Sequence, residues 1–211
     1  MARKMGVFPL IFAVMAVFAL VLCFATQARA EGERLDRLQI QPLRTKPSKK
    51  HQIDARKIKK GVIAERLRKS NSELDAAKAV VWANYIMDAS DEFGVDPFMI
   101  SAIIVKESGA QSDVRSRTSH GLMQINWKAH RSGLTSSFSD IETRTDIYDP
   151  KKNILAGTYI FSCYLRSSRG DIQKALRRYV GGNAPKYVSG VINCRKELDT
   201  RFAQHVSTIG Q

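Results

Sequence analysis

Between Asp96 and Gly109 the chain reads Pro-Phe-Met-Ile-Ser-Ala-Ile-Ile-Val-Lys-Glu-Ser, a run that is apolar on nearly every side. Asp96 can cap the first free amides of a helix, Pro97 suits a first turn, and Gly109 suits the residue that ends one. A helix without a polar face is buried inside its domain. Glu107 falls in the last turn, on the face of Ile100, Ile103 and Ile104 by spacings of seven, four and three. Apolar neighbours and a helix C-terminus both disfavour a negative charge, so this carboxyl is expected to titrate above its ordinary range. A general acid working near neutral pH needs that shift.

Helical periodicity dominates the sequence around this segment. Ser72-x-x-Asp75 opens a helix in which Leu74, Ala77, Val81, Tyr85 and Ala89 recur at three and four, broadened by Trp82, Ile86 and Phe93 and ended by Gly94. Residues from Gln111 to His120 are polar, and Ser119 to Asn126 can form a small hairpin or extended loop. Asp149-Pro150 starts a helix with Ile154, Gly157, Phe161 and Leu165 on one face and Gly170 at its end. Asp171 caps a shorter one carrying Ile172, Leu176 and Tyr179, broken by Gly181-Gly182. Pro185 opens a last helix through Val188, Ile192, Leu198 and Phe202. The expected class is mainly α, one domain over residues 71–206, of ordinary domain size.

The N-terminal part reads differently. Arg3-Lys4 precede an apolar stretch from Val7 to Ala25, and Ala28-Arg29-Ala30 fits a small-x-small cleavage site, so residues 1–30 read as an export signal. The same stretch is long enough for an uncleaved membrane anchor; either way the remainder is exported, and a periplasmic location is expected. Leu22 before Cys23 argues against lipidation. The chain carries a net charge of +14, and residues 31–70 hold thirteen Lys/Arg against five Asp/Glu, with no aromatic residue and with Pro42 and Pro47. This segment reads as a flexible basic linker, becoming helical near Ile58 to Leu67. It is either a solvated spacer or a site of attraction to an acidic polymer or membrane surface. Nucleic acid is not an expected partner, since zinc-ligand spacing and RNA-binding aromatics are missing from the sequence.

Competing chemistries are thin. His51, His120, His130 and His205 are scattered without metal-ligand spacing, so no metal site is expected. His120 reads first as a solvated loop histidine, with substrate contact the alternative. No Ser or Cys sits in a nucleophile elbow. Loss of Cys23 with the signal leaves Cys163 and Cys194, an even number in an oxidising compartment, on neighbouring helices. A disulfide between them is expected, with two buried thiols as the alternative.

Glu107-Ser108, followed by Gly121-Leu122-Met123-Gln124-Ile125, resembles the soluble lytic transglycosylase family, which cuts peptidoglycan glycan strands with a lysozyme-like domain. The resemblance covers roughly residues 76–195. It implies that Glu107 is the catalytic acid and that Ser108 helps orient it. It implies further that Gly121, Leu122, Met123 and Gln124 line the sugar cleft, the last two facing substrate. Asp149-Pro150 with Asn153-Ile154 and Gly157 resembles a helix start of the family, a structural element. Tyr179 matches the tyrosine of its Tyr-Asn motif and Tyr187 a later cleft tyrosine. Val180 departs from the usual Asn, and His120 stands where a small residue is common.

Hydrolysis of the lysozyme kind wants a second carboxylate. Animal lysozymes resemble this segment too but carry an Asp two residues before the glycine, where this chain has Ser119. Asp113 and Asp140 remain as candidates in polar loops. The resemblance therefore implies a transglycosylase: Glu107 as acid then base, anhydromuramyl products and no cofactor. A muramidase and an inactive wall-binding protein are the alternatives. Small exported members of the family accompany secretion or conjugation machines, which makes such an apparatus a candidate partner.

Overall fold

A computed structural model describes residues 49–209; the expected signal segment and residues 31–48 of the basic stretch lie outside the described residues. The described residues form seven α-helices: α1 (Lys49–Ser70), α2 (Ala76–Phe93), α3 (Pro97–Ser108), α4 (Trp127–Ser137), α5 (Pro150–Ser167), α6 (Ile172–Val180) and α7 (Pro185–Ile209). Between α3 and α4 a small antiparallel hairpin pairs β1 (Ser119–His120) with β2 (Ile125–Asn126), Ser119 opposite Asn126 and His120 opposite Ile125. The mainly α class expected from periodicity is what the chain adopts. Among the described residues no helix is long and apolar enough to cross a membrane.

The helix ends follow the local chemistry. At α3 the Asp96 side chain accepts from the Phe98 N–H, Pro97 occupies the first turn, and Gly109 at φ 62° closes the helix with its N–H on the Val105 carbonyl. Every residue from Pro97 to Ile104 is buried, because α1, α2 and α7 pack around the helix. Asp75, Asp149 and Asp171 cap α2, α5 and α6 through side-chain bonds to backbone N–H groups.

Three sequence expectations are corrected, and one helix lies where none was expected. The helix expected near Ile58 to Leu67 is present but longer, so the basic segment is not a flexible linker up to residue 70: α1 runs Lys49–Ser70 and buries Val62, Ile63, Ala64 and Leu67. Full burial of each larger side chain stabilises by about 1.5–3 kcal/mol, enough to order a helix that composition alone makes look solvated. Several of its charges are also used within the chain. Arg56 pairs with Asp88 and Asp91, Glu65 accepts from Arg201, and Lys59 lies 5.8 and 5.5 Å from the ring centres of Phe98 and Phe202.

On α2 the expected Trp82, Ile86 and Ala89 are buried together with Ala79, Ala83 and Met87, whereas Ala77 and Val81 of the expected stripe face solvent. Two overlapping 3–4 patterns exist there, and the one bearing the larger Trp82 turned inward. Helix α4 has no apolar periodicity to announce it. It buries Leu134 and starts at Asn126, whose side chain accepts from the Ala129 N–H.

The cysteines, finally, are free thiols. Cys163 lies on α5, which packs against α2 and α6, while Cys194 is buried on α7, which packs against α3 and α1. The two helices are neighbours in sequence order through α6 but turn their cysteines to different surroundings: Arg166 donates to the Cys163 sulfur at 3.2 Å, whereas burial pushes the Cys194 thiol up, opposed by the charge of Arg66.

Candidate active site

Glu107 ends α3 half-buried, and its carboxylate meets the first turn of α7, where the Tyr187 hydroxyl donates to Oε1 at 2.6 Å. The two helices approach closely because α7 has Gly190 at the contact: a Cβ there would stand 3.0 Å from Cε of Lys106. Burial raises the Glu107 pKa above its ordinary value, and the Tyr187 hydrogen bond pulls the other way, favouring the charged form less strongly. Tyr187 and Tyr179 are both held far up the scale, by burial first and then by the charge of Glu107. These two hydroxyls therefore act as donors and stay protonated at any working pH.

The loop opposite is built by hydrogen bonds. Gly121 adopts φ 77°, and a side chain there would collide with Asn153. Asn153, buried at the second turn of α5, accepts from the Met123 N–H at 2.8 Å through Oδ1. Its Nδ2 donates to the carbonyls of His120 (3.0 Å) and Ile147 (2.7 Å). The Tyr179 hydroxyl donates to the Met123 carbonyl at 2.8 Å, so α5 and α6 hold the two peptide units on either side of the Met123 Cα. Gln124 sits in the left-handed region at φ 47°. Its Nε2 donates to the carbonyls of Val114 and Gly121 at 3.0 and 2.9 Å, locking a conformation that a non-glycine residue adopts at a cost.

A groove of about 380 Å³ runs beside this cluster between hairpin, α4, α5 and α6, lined by Gln124, Asn126, His130, Tyr164, Arg178 and Tyr179, with Val180 at its edge. Glu107 does not line it; Tyr179, which feels the acid's charge, joins the two.

Several expected side chains are not where the resemblance implied. Ser108 bonds back to the Ile104 carbonyl at 3.1 Å as a helix residue and makes no bond to Glu107. Leu122 and Met123 are fully buried, so neither side chain faces a cleft. Met123 packs where α5 carries Gly157, whose absent side chain leaves room for the Met123 sulfur. His120 is buried against Tyr148, with the phenol hydroxyl 3.0 Å from Nδ1. Burial and the charges of Arg144 and Arg115 lower its pKa, so it is a neutral packed residue rather than a solvated one. Asp140 is exposed and shares Lys152 with Asp146. Neither Asp140 nor Asp113 is among the groups that shift Glu107.

Sequence reasoning passed over His130, Tyr164 and Arg178 as groove residues, since none belongs to a recognisable motif. It read Asn153 only as part of a helix start. The Asn at the fourth position after Asp149 was a visible signal, because an amide in the buried second turn of a helix needs partners elsewhere.

The family model described as the transglycosylase SLT domain matches residues 84–191, just over half of the chain. The chain belongs to the SLT transglycosylase family. The match takes in Glu107, the loop from Gly121 to Gln124, Tyr179 and Tyr187, and leaves α1 outside. Curated relatives include the endo-type membrane-bound lytic murein transglycosylase A of Citrobacter koseri, 33% identical over 97 residues, 44% of this chain and 47% of the relative. The protein of the same name in Salmonella paratyphi B is 32% identical over the same shares. The chain thus spans about half the length of the curated relatives it matches.

Proposed function

We propose that this SLT domain is a peptidoglycan lytic transglycosylase, with Glu107 as its acid and base. The observation that carries the reading is a single carboxyl group whose pKa is raised by burial and which receives one hydrogen bond, from Tyr187, beside a polar groove. Protonated Glu107 gives its proton to the oxygen bridging MurNAc and GlcNAc as the C1–O bond breaks, while the substrate's N-acetyl oxygen supports C1. The muramyl 6-hydroxyl then attacks C1, releasing the N-acetyl oxygen and passing its proton to Glu107. The acid is restored, a 1,6-anhydromuramyl end is formed, and neither water nor a cofactor is consumed.

Gln124 and Tyr179 stand in the groove as groups that meet the sugars, while Gly121, Leu122, Met123 and Asn153 shape the loop from behind. Ser108 supports the end of α3 in this reading. Export to the periplasm, local opening of the wall for an envelope-spanning machine, and a tethering role for the basic N-terminal stretch complete the proposal.

The test is mass spectrometry of purified sacculi digested by the full-length protein. Anhydromuropeptides are the expected products, and Glu107→Gln should release them at least about 100-fold more slowly while remaining folded. Asp113→Asn and Asp140→Asn should retain most activity. Reducing-end products together with loss of activity in either Asp variant would replace the transglycosylase with a hydrolase.

A further inference from the structure

Beside the groove lies a second cavity that the proposed reaction leaves unused. It measures about 230 Å³, sits between α4 and α5, and is lined by Gly133, Leu134, Tyr159 and Cys163. It shares His130, Ile160 and Tyr164 with the groove, and the His130 and Tyr164 rings meet edge to face at 6.2 Å where the two spaces join. The cavity is therefore a side branch of the groove. Burial holds the His130 imidazole below its usual range, so the sill between the two is uncharged at neutral pH.

Cations flank this branch. Arg166 does not line the cavity itself but donates to the sulfur of Cys163, which does, at 3.2 Å, and to the Ser162 hydroxyl at 3.3 Å. Arg178 lines the groove and donates to the Ser167 hydroxyl at 2.6 Å. Among the described residues neither guanidinium has a carboxylate partner, since the ion pairs there involve other cations. Two guanidiniums oriented by neutral partners are receptors for carboxylates.

A ligand that matches these features is branched. It has a polar polymer for the groove, a small apolar group for the cavity, and carboxylates for the two arginines. A muramyl sugar carrying its peptide has this chemistry. Resting on the reading that the groove holds peptidoglycan sugars, we infer that the cavity between α4 and α5 receives the peptide branch of the strand, a small side chain against Leu134 and Ile160 and carboxylates at Arg166 and Arg178. The site thereby distinguishes peptide-bearing glycan from bare glycan.

Cys163 reports occupancy directly. Full-length Glu107→Gln protein is alkylated with iodoacetamide in the presence of soluble glycan fragments, either peptide-bearing or stripped by an amidase, and modification of Cys163 is followed by mass mapping. At ten times Kd, peptide-bearing fragments should slow alkylation of Cys163 about tenfold, the fall in free protein. Stripped fragments should leave the rate unchanged. Equal protection by both, or by neither, overturns the inference.

In parallel, kcat/KM of the parent protein should favour peptide-bearing strands by about tenfold or more, the discrimination that a small complementary pocket provides. Gly133→Leu places its side chain in open space within the cavity and should bring that ratio toward one; Arg166→Gln should do the same without filling anything. An unchanged ratio in Arg166→Gln and in folded Gly133→Leu overturns the inference. Protection without turnover leaves the peptide site standing and sinks the transglycosylase reading. Turnover with a ratio of one does the reverse.

Discussion

Replacing Asn153 by Leu tests how the loop beside Glu107 is held. The two side chains are close in size, but Asn153 is 1% exposed and makes three hydrogen bonds to backbone groups of His120, Ile147 and Met123. Leucine leaves two carbonyls and one N–H without these partners inside the domain, at about 1–3 kcal/mol each, the N–H being the least tolerated. Burying an apolar side chain in place of an amide returns about 1.5–3 kcal/mol. Taken at mid-range these terms leave a net loss of about 4 kcal/mol, a large part of the stability of an ordinary domain. At about 2–4 °C per kcal/mol for a domain of this size, the melting temperature should fall on the order of 10 °C.

Circular dichroism melts of the parent and Asn153→Leu measure this directly. Because the same bonds set Gly121 and Gln124, turnover of sacculi should also drop at temperatures where the variant is still folded. A melting temperature within about 2 °C of the parent, with normal turnover, would mean that the loop is held by its apolar residues and that the amide network contributes little.

Glu107→Gln should also change the pH dependence of stability. Burial raises the folded-state pKa of Glu107, so its protonated form is favoured by folding. That contribution is complete below the unfolded pKa and is lost as pH rises through the folded value. The variant should therefore be more stable than the parent at alkaline pH and lose that advantage as the solution is acidified, as read from urea midpoints across pH; a constant gap would contradict burial of the carboxyl. For the cysteines, alkylation without reductant should label two thiols in the domain. Half-buried Cys163 should react first, and Cys194, 2% exposed with its thiol pushed up by burial, only on unfolding. A domain that takes no label until reduced would restore the disulfide.

The helix boundaries were the most legible part of the sequence, because caps are local. Asp96, Asp149 and Asp171 each bond amides two or three residues ahead, and Gly94, Gly109 and Gly181 take left-handed conformations at the helix ends; the cap of α2 is Asp75 rather than the Ser72 that the Ser72-x-x-Asp75 pattern pointed to. Burial was less legible where two stripes compete, as on α2, or where charge masks a few apolar positions, as on α1. Helix α4 was illegible for a further reason: only Leu134 of its residues is buried, and its start depends on Asn126 at the end of a hairpin whose pairing is tertiary.

The site divides along the same line between local and distant. Glu107 was readable because an acid at the end of an apolar helix is a local conflict, and such conflicts gather where chemistry is done. Its partner Tyr187 lies eighty residues away, and no periodicity sets the 2.6 Å bond between them. The loop misled for the opposite reason. Leu122, Met123 and Gln124 lie in one motif, yet a turn with Gly121 at φ 77° and Gln124 at φ 47° sends consecutive side chains in different directions. Leu122 and Met123 go into the core, and Gln124 goes to the groove. A motif fixes which residues are present. Asn153 and Tyr179, gripping the two ends of the Met123 residue from α5 and α6, decide which of them reaches the groove.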